Sequence, residues 1–281
     1  MFWINCSKNK SNPAAAFCLG AALVAAQAMV PAAAMVGGAV PAAQGAGRSV
    51  VMILGSHGTA CTATAIARNL LLTAAHCVEP GSDYKLADLT DPHAPALKPI
   101  ARIERDPQFD MKRLLGHLAT ADVALVLLPQ PLAADIPPVA LDDGTRPVAV
   151  GDALVVAGYG VTVRGDGRTG GTVRAATLVA TGQPNTLQVR LFDPHTRGET
   201  AGLGACAGDS GAPAFRDIDG HLAIVGVVSW STGPKLSAGC GGLTGVTPLV
   251  RYRDWILQRA RALGSPLAPQ PKTSAPARLG G

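Results

Sequence analysis

Glycine or proline interrupts this chain before any long run of one periodicity can develop. Thirty-three glycines and 22 prolines in 281 residues leave short stretches of Val, Thr and Leu between turn signals. That pattern favours strands joined by tight turns over long helices, and so an all-β body. With 48% apolar residues and only 15% charged ones, the chain can bury a core as one large domain or two small ones. Val50 to Leu54, Cys61 to Ala67 and Leu70 to Thr73 read as strands. The middle one shows alternation (Thr62 and Thr64 against Ala63 and Ala65), and the others are buried runs. Ala124 to Leu128 is a further buried strand. The Pro- and Asp-rich stretch from Pro129 to Pro147 suits an exposed linker and marks a domain boundary. Beyond it, Ala153 to Ala157, Thr186 to Phe192, Leu222 to Trp230 and Gly245 to Val250 have strand character. Only Arg251 to Leu263 has a helical pattern, and the Pro/Ser/Ala-rich end from Gly264 is expected to be disordered.

The first 34 residues read as an export signal: Lys8 and Lys10, an apolar run from Ala14 to Val30, then Ala32-Ala33-Ala34 as a cleavage pattern. An uncleaved membrane anchor is the competing reading of that run. Without the leader the formal charge falls from +5 to about +3, too mild and scattered for nucleic acid. Cys6 and Cys18 fall in the leader, leaving Cys61, Cys77, Cys206 and Cys240. An even number in an oxidising compartment, with no two-residue spacing, favours disulfides over metal or thiol chemistry.

Three separated segments carry chemistry together: Leu72-Thr73-Ala74-Ala75-His76-Cys77, Ala121-Asp122-Val123-Ala124-Leu125 and Gly208-Asp209-Ser210-Gly211-Ala212-Pro213. A serine hydroxyl attacks well only when a base takes its proton, and imidazole titrates near working pH. A buried carboxylate then holds the imidazole in the right tautomer, and Asp122 stands just before an apolar strand. Singly each residue is weak, and His57, His93, His117, His195 and His221 are assigned surface or structural roles. The order His, Asp, Ser, the 46-residue step from His76 to Asp122 and the cysteine after His76 resemble the trypsin/chymotrypsin serine proteases, of a bacterial secreted type. The resemblance runs from residue 35 to about 260. A Gly-x-Ser-x-Gly hydrolase elbow needs glycine at 212 and the chain order Ser, Asp, His; both are absent.

What the resemblance implies is specific. The fold is two six-stranded antiparallel β-barrels with a C-terminal helix: residues 35–140 form the first barrel, 141–263 the second barrel and helix, after a signal peptide at 1–34 and before a tail at 264–281. Ser210 is the nucleophile, His76 the base and Asp122 its orienting acid. The N-H groups of Gly208 and Ser210 form the oxyanion hole, where losing one donor costs about 3 to 4 kcal/mol. Ala212 departs from the family's usual third glycine. Cys61 pairs with Cys77, and Cys206 with Cys240. Met35-Val36-Gly37-Gly38, 41 residues before His76, resembles the family's mature N-terminus, whose amine pairs with the aspartate beside the serine, here Asp209. Gly204 is the pocket floor, with Ser229, Trp230, Ser231 and Gly245 as walls. All are neutral, so cleavage after uncharged residues is expected. The activity implied is that of a secreted or periplasmic serine endopeptidase, monomeric, with polypeptide substrates and protein inhibitors as partners. No cofactor, metal, nucleic acid or membrane is expected after signal removal. A catalytically silent relative serving as a binding module is the alternative.

Overall fold

The computed structural model describes residues 35–89 and 96–267, so the expected leader and most of the expected tail lie outside the described residues. The first eight strands are β1 (Val40–Pro41), β2 (Val50–Gly55), β3 (Ala60–Ala67), β4 (Leu70–Thr73), β5 (Tyr84–Asp88), β6 (Ala96–Pro99), β7 (Arg102–Arg105) and β8 (Ala124–Leu127). They are followed by β9 (Ala140–Leu141), β10 (Ala153–Gly158), β11 (Arg174–Thr181), β12 (Val189–Phe192), β13 (Pro213–Ile218), β14 (His221–Ser231) and β15 (Leu243–Pro248). Two α-helices complete the set among the described residues, α1 (Met111–Leu115) and α2 (Arg253–Ala262).

These strands form the all-β, chymotrypsin-like architecture. The second sheet runs β11-β10-β13-β14-β15-β12 and closes because β12 pairs back onto β11, giving a six-stranded antiparallel barrel. Closure pairs each of the six on both sides, and the edge positions left on β11 and β14 are taken by β1 and β9. The first sheet runs β6-β5-β2-β3-β4-β8-β7 and is a half-barrel, with no ladder joining β6 to β7 among the described residues. The sheets are therefore unequal, one closed at six strands and one open at seven.

Alternation explains the packing. β11 buries Arg174, Ala176, Leu178 and Ala180 on one face, and β4 is buried at all four positions. One core cluster fills the half-barrel around Ile53, Leu71, Val126 and the Cys61–Cys77 disulfide. Another fills the closed barrel around Leu154, Leu178, Leu191 and Met35. A third joins the two, with Leu70, Leu72, Val123 and Leu125 packed against Phe215, Ile224 and Val227, and with Ile256 and Ala260 of α2. The i, i+4 spacing of those last two is what a helix needs to place one face on a core.

Three sequence expectations change. The stretch read as an exposed linker contains β9, which pairs in parallel with β14 at Ala223 and Ile224, and its Leu141 is buried. The tail expected from Gly264 begins as packed chain: Ser265 donates from Oγ to Asn69 Oδ1 at 2.7 Å, and Leu267 lies against the core. A helix, α1, appears where none is read; Asp110 caps it by accepting from the N-H groups of Lys112 and Arg113. No helix among the described residues is long and apolar enough to cross a membrane.

Candidate active site

His76 sits in a short 3-10 turn, Ala75–Val78, entered directly from β4. Ala74 and Ala75 are fully buried, so the turn packs tightly under the half-barrel, and the Cys61–Cys77 bridge fastens it to the start of β3. Asp122 stands two residues before β8, between the buried Ala121 and Val123, and is itself fully buried. The His76 Nδ1 and Asp122 Oδ2 atoms are 2.8 Å apart, and the His76 backbone N-H donates to Asp122 Oδ1 at 2.9 Å. Both carboxylate oxygens thus hold one residue, fixing ring and backbone together. A neutral His76 that donates from Nδ1 keeps Nε2 as its acceptor.

Ser210 comes from the closed barrel and is brought to the half-barrel by a seam of threonines. Thr62, fully buried on β3, donates from Oγ1 to the Gly208 carbonyl at 2.7 Å and accepts the Tyr159 N-H at 3.1 Å. Its backbone N-H donates to the Ser210 carbonyl at 2.8 Å. Thr73 Oγ1 donates to the Thr62 carbonyl at 2.8 Å, three residues ahead of His76. Gly211 lies on this seam at φ +79°, and a Cβ there would collide with Thr73 Oγ1 and the Thr62 carbonyl. Only glycine suits both the conformation and the approach.

The turn leaves donors free. The N-H groups of Asp209, Gly211 and Ala212 donate to Cys206, Val228 and Asp209 carbonyls, whereas those of Gly208 and Ser210 donate to no acceptor among the described residues. Gly208 takes φ +96°, which a side chain would disfavour. Ala212 is fully buried, so its methyl fills core space where a glycine would leave a gap. Ser210 Oγ has no hydrogen-bond partner among the described residues, and the contact to His76 is not formed. Such contacts often tighten only when substrate binds.

Asp209 is fully buried, with Oδ1 accepting the Gly160 N-H and Oδ2 the Cys206 N-H, each at 2.9 Å. Burial pushes its carboxyl up to about 7, although those two N-H groups pull it down. Gly158 and Gly160 flank it, and a Cβ on either would strike the carboxylate. Met35 is fully buried in the closed barrel's core at φ +50°, and Val36 forms a β-bridge with Gly204, six residues before Ser210.

A cavity of about 510 Å³ opens beside Ser210, lined by Ala205, Cys206, Val228, Trp230, Ser231 and Cys240 among others. Of the five expected pocket residues, Trp230 and Ser231 line it. Gly204 lies deeper: a Cβ there would face Gly241 and Thr244 Oγ1. Ser229 Oγ pairs with Thr247 Oγ1 at 2.8 Å behind the wall, and Gly245 packs so closely on the Trp230 indole that no Cβ fits. The Cys206–Cys240 disulfide braces the same wall. A somewhat larger cavity, about 560 Å³ between β2, β5 and the 128–136 segment, contains none of the three chemical residues.

Two lining residues escape sequence reasoning. The His117 ring stacks on Trp230, centroids 4.6 Å apart and 9° from parallel. Gln188 Nε2 donates to the His117 carbonyl at 3.2 Å, holding a residue at φ +53°. Arg164 reaches the rim from its own loop and donates to the Ala238 carbonyl at 3.0 Å. Neither sits in a motif, and only folding makes them neighbours of Ser210. Cys61, His76 and Cys77 place ligand atoms within 4.8 Å of one another, but the two sulfurs are bonded together and offer no thiolate to a metal.

A closed barrel and a half-barrel that bring His, Asp and Ser to one seam define a chymotrypsin-like serine hydrolase scaffold. The family profile described as Trypsin matches residues 36–256, and the chain belongs to the trypsin family. Serine protease 56 of Mus musculus is 28% identical over 223 residues, covering 72% of this chain and 35% of that protein. Transmembrane protease serine 9 of Rattus norvegicus is 30% identical over 188 residues, covering 62% of this chain and 17% of that protein. The chain therefore spans well under half the length of either relative.

Proposed function

We propose that this chain is a serine endopeptidase that cleaves polypeptides through an acyl-enzyme on Ser210. The observation carrying the reading is the double hydrogen bond from His76 to the buried Asp122, next to a serine turn that leaves two N-H groups unspent. Ser210 Oγ attacks the peptide carbonyl carbon as His76 Nε2 takes its proton. The carbonyl oxygen gains the negative charge and is held by the N-H groups of Gly208 and Ser210. The C-N bond then breaks, the amine leaves with the proton from His76, and water repeats the sequence to release the acid.

The cavity beside Ser210 has no carboxylate among its lining residues and includes the buried, apolar Ala205 and Val228, which supports cleavage after an uncharged residue over Arg or Lys. The chain acts outside the cytoplasm as a monomer, once signal peptidase has cut after Ala34. Burial of Met35, next to the Val36–Gly204 bridge, and a caged Asp209 in the same barrel support an inserted Met35 amine as the activating contact.

A catalytically silent homologue is the second reading, favoured by the missing Ser210–His76 hydrogen bond. Turnover of fluorogenic peptides decides between them. The peptidase reading expects hydrolysis that falls to background in Ser210→Ala and His76→Ala; a folded wild type that cuts no peptide supports the silent homologue.

A further inference from the structure

The cavity beside Ser210 is charged with one sign only. Among its lining residues Arg164 carries the sole permanent charge, His117 is the one titratable group besides it, and no Asp or Glu contributes. Arg164 is exposed at the rim, where its only hydrogen bond among the described residues goes to a neutral acceptor, the Ala238 carbonyl. A guanidinium has five N-H donors in a planar fork suited to a carboxylate, so most of its capacity is unspent.

Two acidic groups of this region, Asp166 and Asp209, are already engaged. Asp166, two residues along the same loop, is held by Arg168 through Nε at 3.0 Å, Nη2 at 3.3 Å and the backbone N-H at 3.1 Å. Those bonds hold the Asp166 carboxyl below its usual range. Asp209 lies buried beneath the serine turn, with its oxygens turned to the Gly160 and Cys206 N-H groups. No carboxylate among the described residues pairs with Arg164. The His117–Trp230 stack meanwhile fixes another stretch of the cavity wall, so a substrate crossing it meets a shaped surface with a free cation on its rim.

We propose that Arg164 selects acidic polypeptides, pairing with an Asp or Glu of the substrate within two residues of the cleaved bond. This rests on the peptidase reading above and adds to it the substrate class: an uncharged side chain enters the cavity, and a neighbouring carboxylate meets the guanidinium at its mouth.

The test is a set of fluorogenic peptides sharing one uncharged residue before the cleaved bond, with Glu, Gln or Lys placed in turn at the two positions on either side. At one position or more, Glu raises kcat/KM about fivefold over Gln and Lys falls below Gln. The ratio shrinks between about 20 mM and about 500 mM salt, as expected for a pair at the surface. Arg164→Gln brings the Glu/Gln ratio to about one, and Arg164→Glu reverses the preference towards Lys. Equal rates for Glu and Gln at every position, or a Glu preference that survives in Arg164→Gln, overturn the proposal. A panel left wholly uncut refutes the peptidase reading itself, whereas a panel cut without charge discrimination refutes only the role of Arg164.

Discussion

Replacing Thr62 by Val keeps the side chain's shape and its strand propensity and removes one oxygen. In the folded chain that oxygen donates to the Gly208 carbonyl at 2.7 Å and accepts the Tyr159 N-H at 3.1 Å, joining segments 146 and 97 residues away. Removal leaves one acceptor and one donor without partners, each costing about 1 to 3 kcal/mol when buried. Both bonds are partly buried, which sets the expected loss at about 2 to 3 kcal/mol. Thr62→Ser deletes a methyl instead, worth about 1 kcal/mol, and keeps both bonds. Urea unfolding should therefore rank the serine variant above the valine one, although packing alone predicts the reverse. Because the lost anchor holds the Gly208 turn, acylation of Ser210 should also slow about tenfold or more in Thr62→Val. A valine variant within about 0.5 kcal/mol of wild type, acylated at the same rate, would refute the seam as the device that positions the serine.

Other outcomes follow from the same geometry. Asp122→Asn should leave the fold intact and cut turnover roughly 10⁴-fold, the size of this change in the serine-protease triad, because the amide holds His76 in the wrong tautomer; peptide kinetics beside circular dichroism check it. Asp209 keeps its proton in the folded chain up to about 7, against 3.8 ordinarily, so the folded state binds more protons between those values. Stability of the chain still joined ahead of Met35 therefore falls as pH rises from about 4 to about 7 and levels off above, and Asp209→Asn flattens the curve in thermal melts. Arg216 and Asp142 pair at 2.7 Å with side chains only 6% and 9% exposed. Asp142→Ala should cost about 3 to 5 kcal/mol in denaturant unfolding, and replacing both by apolar residues considerably less. Edman sequencing of the exported protein should read Met35 first; a start at Met29 would mean a short propeptide.

Much of the fold was legible because its signals are local. β2, β3, β4, β8 and β10 follow from β-branched and leucine runs, and α2 from one apolar spacing closed off by glycine. β11 is diluted by alanines and β13 by Pro213, Arg216 and Asp217, so their strand signals are weak; both exist because the barrel supplies partners on each side. β9 was hidden for the same reason, its two residues being ordered by β14 from far along the chain. At the site, His76, Asp122 and Ser210 could be named as candidates from the sequence because chemistry restricts residue type. The supporting groups were not: a threonine in a strand usually signals the strand alone, and Thr62 acquires its role only when Gly208 and Tyr159 arrive. His117 and Arg164 sit in loops whose positions depend on the closed fold, and no spacing rule connects them to residue 210.

The central claim is that Ser210 is an activated nucleophile, and covalent labelling with an organophosphorus serine reagent tests it most directly. Mass spectrometry of the folded protein should find one adduct, on the peptide containing Ser210, formed slowly in His76→Ala and absent in Ser210→Ala. A folded wild type that remains unlabelled, or one labelled equally well without His76, would contradict the account.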